Sequence, residues 1–123
     1  MQKGLKQFDI VLVDLKPTRG SEQKGDSRPC VILQTNASQN YGKTTIIVPI
    51  TSNTNKVYPF EVLLHPSKRN GITKKSKIKC DQIRVIDKKR IKRKIGKLDE
   101  KDVSSLDEAI SVIFDLERNF RFF

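Results

Sequence analysis

Apolar side chains recur along this chain in two rhythms. Up to about residue 98 they fall in short β-branched and aliphatic runs separated by turn formers, and beyond residue 100 they return every three to four positions. The first rhythm predicts strands and the second a helix. "FDIVLVDL" (Phe8 to Leu15) is the first predicted strand; it stops at Lys16-Pro17, where proline fixes φ and offers no N–H to a ladder. "RPCVILQT" (Arg28 to Thr35) and "TTIIVPITS" (Thr44 to Ser52) follow, and Pro49 inside the latter predicts an edge position or a bulge. Between them "NASQNYGK" reads as a turn or short helix. "FEVLLH" (Phe60 to His65) is a fourth strand, "SKIKCDQIRVI" (Ser76 to Ile86) a fifth with a kink at Asp81, and "RKIGKL" (Arg93 to Leu98) a short sixth. Such regular spacing of strands and turns predicts a small β-barrel or compact β-fold.

The closing segment changes period. Val103, Leu106, Ile110, Ile113 and Phe120 repeat at helical spacing, with Ala109, Val112 and Leu116 widening the stripe, which predicts one amphipathic helix over about 100–118. Asp99 is the expected N-cap, Glu100 and Asp102 complement the positive end of the helix dipole, and Arg118 the negative end.

With 123 residues the chain is expected to form one domain spanning 1–123. Its apolar runs are far shorter than a membrane span, its mean hydropathy is −0.52, and the N-terminus enters strand alternation directly, without a secretion signal. The expectation is a cytoplasmic protein with no membrane contact. Cys30 and Cys80 are then expected to be reduced packing residues. Charge carries more information. The net charge is +11, yet residues 74–97 hold 12 basic and 2 acidic side chains, whereas residues 98–123 hold 3 and 7. Isoleucine and valine recur through the basic segment, so it is read as folded strand with cations on its outer face, a surface suited to polyanions.

Several chemistries are missing. One histidine and no CxxC, HExxH or EF-hand pattern make a zinc or calcium site unexpected, and no GxxxxGK[ST], GxGxxG or GxSxG stretch signals a nucleotide loop or a serine hydrolase. No cofactor is expected. His65 in "VLLHPSK" is expected at a strand end, which leaves a histidine-based mechanism unsupported. On composition alone the chain could be a nucleic-acid-binding module without catalytic activity.

The loop "PTRGSEQKGDSRP" (Pro17 to Pro29) changes that reading. "FDIVLVDLKPTRGSEQKGDSRPCVILQTN" resembles the N-terminal signature of the MazF/PemK toxins, a family of endoribonucleases, in which an aspartate-led strand, P-x-x-G-S-E-Q and Arg-Pro succeed one another. "IIVPITSN" (Ile46 to Asn53), "YPFEVLL" (Tyr58 to Leu64) and "CDQIRVID" (Cys80 to Asp87) resemble later family segments in the same order, so the likeness covers nearly the whole chain. Two departures stand out. Phe8 occupies a position where the family usually has glycine, and "GSEQKGDSRP" is about one residue longer than usual, which lengthens the loop beside Arg28.

The resemblance implies a mainly β fold, an SH3-like small β-barrel with a C-terminal α-helix, working as a homodimer with RNA across the subunit interface. It implies sequence-specific, metal-independent cleavage of single-stranded RNA, messenger RNA included, that leaves a 2′,3′-cyclic phosphate and a 5′-hydroxyl. It also implies a toxin held in check by a cognate acidic antitoxin, for which a +11 protein is a suitable target. Arg28 matches the family's catalytic arginine and Thr51 its catalytic threonine.

Those two residue types suit the reaction. Attack by a ribose 2′-hydroxyl builds charge on the phosphoryl oxygens, and prepositioned donors that meet it lower the barrier. Arginine presents a planar fork matched to phosphate, and a threonine hydroxyl can donate to the same oxygens or orient the attacking group. Outside this motif Arg28 would read as one strand-start cation among many and Thr51 as a strand-end threonine. The residue types leave the acceptor of the 2′-hydroxyl proton open. Arg19, Glu22, Gln23, Ser52, Gln82 and Arg84 are candidate RNA contacts, with Tyr58 or Tyr41 as stacking surfaces; Tyr58 and Phe60 could equally serve the core or a dimer interface. Two other functions remain open: a non-catalytic, gyrase-binding toxin of the CcdB type, and an RNA-binding module without activity.

Overall fold

The computed structural model describes residues 4–17, 20, 25 and 27–117. In chain order its elements are β1 (Asp9–Val13), β2 (Arg28–Ile32), the single-turn α1 (Asn36–Gln39), β3 (Thr44–Thr51), β4 (Val62–Leu64), β5 (Ser76–Ile78), β6 (Arg84–Asp87), β7 (Ile91–Lys97) and α2 (Glu100–Phe114). All strand pairs are antiparallel, in the order β4-β5-β3-β2-β1-β7, with β6 also paired to β3.

β3 is the spine. Its inner edge pairs with β2, while its outer edge is shared, residues 44–47 with β6 and residues 50–51 with β5. The expected single strand over Ser76 to Ile86 is therefore two strands, parted by a turn in which Gln82 N donates to Lys79 O at 2.9 Å. Pro49 lies where the partners change, and β3 is central rather than an edge. Lys79 N donates to Pro49 O at 2.9 Å, so the proline's missing N–H faces the turn and no ladder bond is lost.

Because β1, β2 and β3 are covered on both faces, alternate residues enter two cores and the strands read as nearly unbroken apolar runs. Ile10, Val31, Val48 and Ile50 pack with Leu64, Ile78 and Leu106 of α2. On the other face, Val11, Val13, Cys30, Ile32 and Ile47 pack with Ile86 and Ile91. The cysteines are free, buried and divided between the two cores.

Among the described residues the sheet does not close, since no ladder joins β4 to β7, so the expected barrel is an open one. Its ends meet through a backbone crossing in which Lys97 N donates to Arg69 O at 2.8 Å. Gly96 and Gly71 make the crossing possible. A Cβ on Gly96 would stand 2.3 Å from Asn70 O, and one on Gly71, whose φ is +68°, 2.1 Å from Ile95 O.

Phe8 precedes β1 instead of opening it. Its φ is 71°, a left-handed conformation that glycine adopts freely and an L side chain only at a cost, and its backbone is fixed by Phe8 N donating to Ile32 O (2.7 Å) and Leu98 N donating to Phe8 O (2.9 Å). A glycine here, which the resemblance led one to expect, would adopt this conformation without that cost.

α2 buries Leu106 and Ala109 and half-buries Val103, Ile110 and Ile113 against the first core. Full burial of Leu106 contributes roughly 2 kcal/mol of transfer free energy. Val112 and Leu116, expected in the apolar stripe, are exposed instead: Val112 lies on the helix face turned away from Leu106, and Leu116 falls beyond the helix end at Phe114, where Asp115 turns left-handed. Asp99 holds the N-cap position but caps no N–H; its carboxylate accepts from Ser67 Oγ at 2.7 Å, tying the helix start to the 67–71 turn. Arg118 and Phe120 lie outside the described residues. Among the described residues no helix is long and apolar enough to cross a membrane.

Candidate functional site

Arg28 opens β2 and Thr51 closes β3, so adjacent antiparallel strands carry both to one end of the sheet. The ladder pairs Ile32 with Ile47, Val31 with Val48 and Cys30 with Pro49; continuing that register by two residues sets Arg28 opposite Thr51. Arg28 Nη1 donates to Ile50 O at 3.5 Å, which keeps the guanidinium between the two strands. Thr51 is 8% exposed, and its Oγ1 accepts from Asn53 N at 3.2 Å. Oγ1 thus has its lone pairs partly engaged while the hydroxyl proton remains available to donate.

The stem of the 17–27 loop passes over this arginine. Leu15 N donates to Gly25 O at 2.8 Å, and a Cβ on Gly25 would stand 3.9 Å from Arg28 Nε and Nη2. Gly25 has a φ of +130°, so the close passage uses a conformation that glycine alone adopts freely. Arg90 fastens the other stem: its Nη1 donates to Asp14 O at 3.2 Å and to Lys16 O. Arg19, Glu22 and Gln23 lie outside the described residues.

The remaining candidates divide. Ser52 is exposed beside Thr51. Arg84 is half-buried at the start of β6, opposite Ile47, and its guanidinium joins that of Arg28 in acting on Cys30. Burial pushes the Cys30 thiol up to about 12, and the two arginines offset only part of that, so this cysteine is a packing residue. Gln82 is half-buried in the turn before β6. Tyr58 is 41% exposed and lies parallel to Phe60, centroids 5.3 Å apart, with Lys56 Nζ 4.7 Å from its ring centre. Tyr41, by contrast, follows α1 at the opposite end of β2 from Arg28, and His65 is an exposed residue just after β4.

Sequence reasoning missed a buried charge cluster next to Thr51. Lys77 pairs with Thr51 across β3 and β5; its Nζ donates to Lys56 O at 2.5 Å and to Glu61 Oε1 at 2.9 Å. Lys79 Nζ lies 3.5 Å from Glu61 Oε2. Burial pushes the Glu61 carboxyl up, but the Tyr58 N–H and the two ammonium groups together outweigh it and hold the group below its ordinary value. The cluster fixes the 56–61 loop that presents Tyr58. Its signal in the sequence was an acid inside "FEVLL" facing lysines that alternate with isoleucine in "SKIKC".

Beside Arg28 runs an open groove of about 330 Å³, bounded by Ser52, by residues 71–74 and by Arg93 and Ile95 of β7. A larger hollow of about 650 Å³ lies next to α1, where Lys88 Nζ bridges the carbonyls of Gln39 and Gly42. Its lining includes none of the candidate catalytic or RNA-contacting residues, so the smaller groove, which includes Arg28 and Ser52, is the one tied to the candidate chemistry.

Comparison with known proteins bears on the fold and the family. The family model for the PemK-like, MazF-like toxin of type II toxin-antitoxin systems matches residues 6–114. The chain is similar to the endoribonuclease MazF of Staphylococcus epidermidis, with 37% identity over 113 residues, covering 91% of this chain and 92% of that protein. Among solved structures, MazF from Deinococcus radiodurans superposes with a TM-score of 0.76 at 21% identity, covering 90% of this chain and 96% of the other. A mycobacterial endoribonuclease in complex with its cognate antitoxin gives a TM-score of 0.74 at 18% identity, covering 92% and 97%. At these identities the two structures speak for the fold, and the family match and the staphylococcal relative for descent: the chain belongs to the PemK-like, MazF-like family of type II toxin-antitoxin toxins.

Proposed function

We propose that this MazF-like endoribonuclease, the toxin of a type II toxin-antitoxin pair, cleaves single-stranded RNA at specific sequences through Arg28 and Thr51. The observation that carries the mechanism is the strand register, which brings a phosphate-matched guanidinium and a proton-donating hydroxyl to opposing positions at one end of β2 and β3. The ribose 2′-hydroxyl gives up its proton as its oxygen attacks the adjacent phosphorus, the bond to the 5′-oxygen breaks, and that oxygen takes up one proton from solvent and leaves as a 5′-hydroxyl, so that one proton is released and one consumed. The other fragment keeps a 2′,3′-cyclic phosphate. Arg28 and Thr51 donate to the nonbridging oxygens as charge grows on them, and no metal ion is required. Ser52 and Arg84 contact the strand from either side of this pair, Gln82 and the loop residues Arg19, Glu22 and Gln23 read bases, and Tyr58 offers a π-face.

The chain acts as one toxin domain in a cytoplasmic homodimer, with RNA crossing the subunit interface. Its cognate antitoxin supplies an acidic segment that competes for the basic surface, a reading supported by the likeness to an endoribonuclease solved with its antitoxin. Incubation of the purified protein with a long RNA tests the assignment. Discrete cleavage by the wild type and its loss in Arg28→Ala are expected; undiminished cleavage by Arg28→Ala would overturn the mechanism.

A further inference from the structure

The groove beside Arg28 has a two-part lining. Leu12, Ile72 and Ile95, all half-buried, give it an apolar floor. Lys74 and Arg93 stand exposed on its walls, and among the described residues its lining holds three cations, counting Arg28, and no carboxylate. Neither Lys74 nor Arg93 is paired with an acid among the described residues, whereas neighbouring Lys94 is bound to Asp9 at 3.1 Å and Lys77 to Glu61 at 2.9 Å. A chain that pairs its nearby lysines while leaving these two open keeps a positive potential over an apolar trough. The groove also has a rigid frame. Its walls are the 71–74 segment and β7, held together by the Gly71–Gly96 crossing and by Lys97 N donating to Arg69 O at 2.8 Å. At about 330 Å³ it lies near the lower limit for small-molecule sites, which fits one nucleotide unit and not several.

We propose that this groove is a subsite for a single nucleotide flanking the scissile phosphate, with the base against Leu12, Ile72 and Ile95 and its phosphate gripped by Lys74 and Arg93. The proposal rests on the ribonuclease reading above and adds residues to it. Arg28 is the shared wall: one side faces the reacting phosphate and the other closes the subsite, so a strand seated in the groove is delivered in register to Thr51. Apolar contact with a base face is tolerant of base identity, and the two cations grip whatever the sequence, so the subsite contributes affinity and register ahead of base choice.

The test compares wild type with Lys74→Ala, Arg93→Ala and the double variant, whose exposed positions leave the melting temperature unchanged. For RNA cleavage in EDTA, the double variant is expected to raise KM with kcat within about twofold, the pattern for loss of binding shared by ground and transition states. The salt dependence of log(kcat/KM) is expected to become shallower by about 0.7, the value for the one single-strand phosphate contact that the two cations share. An abasic nucleotide at one position beside the cut is expected to raise KM for wild type. A single-stranded DNA of the same sequence, which has no 2′-hydroxyl and is not cut, reports the same change in salt slope as equilibrium binding. If wild type fails to cleave but the DNA slope changes as stated, the ribonuclease reading falls and the groove stands as a nucleic-acid site. The proposal is overturned if KM and both slopes are unchanged in the double variant, if kcat falls at constant KM, if no abasic position matters, or if only binding of an acidic peptide is weakened.

Discussion

Glu61→Gln removes one charge from the buried cluster beside Thr51 with little change of shape. In wild type the Glu61 side chain is 1% exposed and that of Lys77 8%, and their 2.9 Å contact is accompanied by the Tyr58 N–H on the same carboxylate oxygen. Glutamine keeps an acceptor for Tyr58 N but leaves Lys77 with only Lys56 O as partner, and turns an N–H toward Lys77 or Lys79. Breaking a buried pair from one side costs about 3–5 kcal/mol; the carbonyl still facing Lys77 puts this case near 3. For a chain of this length that corresponds to a fall in Tm of roughly 10–15 °C. The pH dependence has a definite sign. Glu61 is held below the 4.5 of the free group, so its contribution is fully present above pH 4.5 and is lost as pH falls through the lower folded value. Thermal melts of both proteins between pH 3 and pH 8 measure this. The wild-type advantage should be full at pH 7 and shrink below about pH 4.5. Equal melting at pH 7, or a gap that stays constant down to pH 3, would refute the electrostatic account.

Phe8→Gly should be more stable than Phe8→Ala by about 1 kcal/mol, since both lose the ring but only glycine relaxes at a φ of 71°; equal chemical-denaturation midpoints would contradict this. Gly96→Ala places a methyl 2.3 Å from Asn70 O and parts the sheet ends, so a loss of about 1–3 kcal/mol and a raised KM are expected, read by melting and cleavage assays; an unchanged Tm would rule out the crossing. Thr51→Val, which keeps shape and removes the hydroxyl, should lower kcat by about 10²–10³ while Thr51→Ser retains most of it; an active valine variant would remove Thr51 from the reaction.

How far the chain could be read depended on where each signal resides. β1, β2, β3 and α2 carry their period locally, and each was legible to within a few residues. The division of β5 from β6 was not, because it depends on β3 having two partners on one edge, and only Asp81 marked it in the chain. Pro49 illustrates the same limit: a proline is excluded from a central strand unless its missing N–H meets a turn, and the position of that turn is a tertiary fact. Arg28 and Thr51 were legible through motif resemblance, while their opposition follows from register. Lys77, Glu61, Lys74 and Arg93 were lost in a lysine-rich background, since a cation's role is set by whether an acid lies across the sheet from it.

The central claim is that an arginine and a threonine on paired strand ends promote attack by a ribose 2′-hydroxyl. The most direct measurement is end-group analysis of the fragments released from a defined RNA by the wild-type protein in EDTA, with a matched substrate carrying one 2′-deoxynucleotide at the mapped cut. The account requires 2′,3′-cyclic phosphate and 5′-hydroxyl ends, and no cleavage of the deoxy-substituted strand. Fragments with 5′-phosphate ends, or cleavage that survives the loss of that single 2′-hydroxyl, would contradict it.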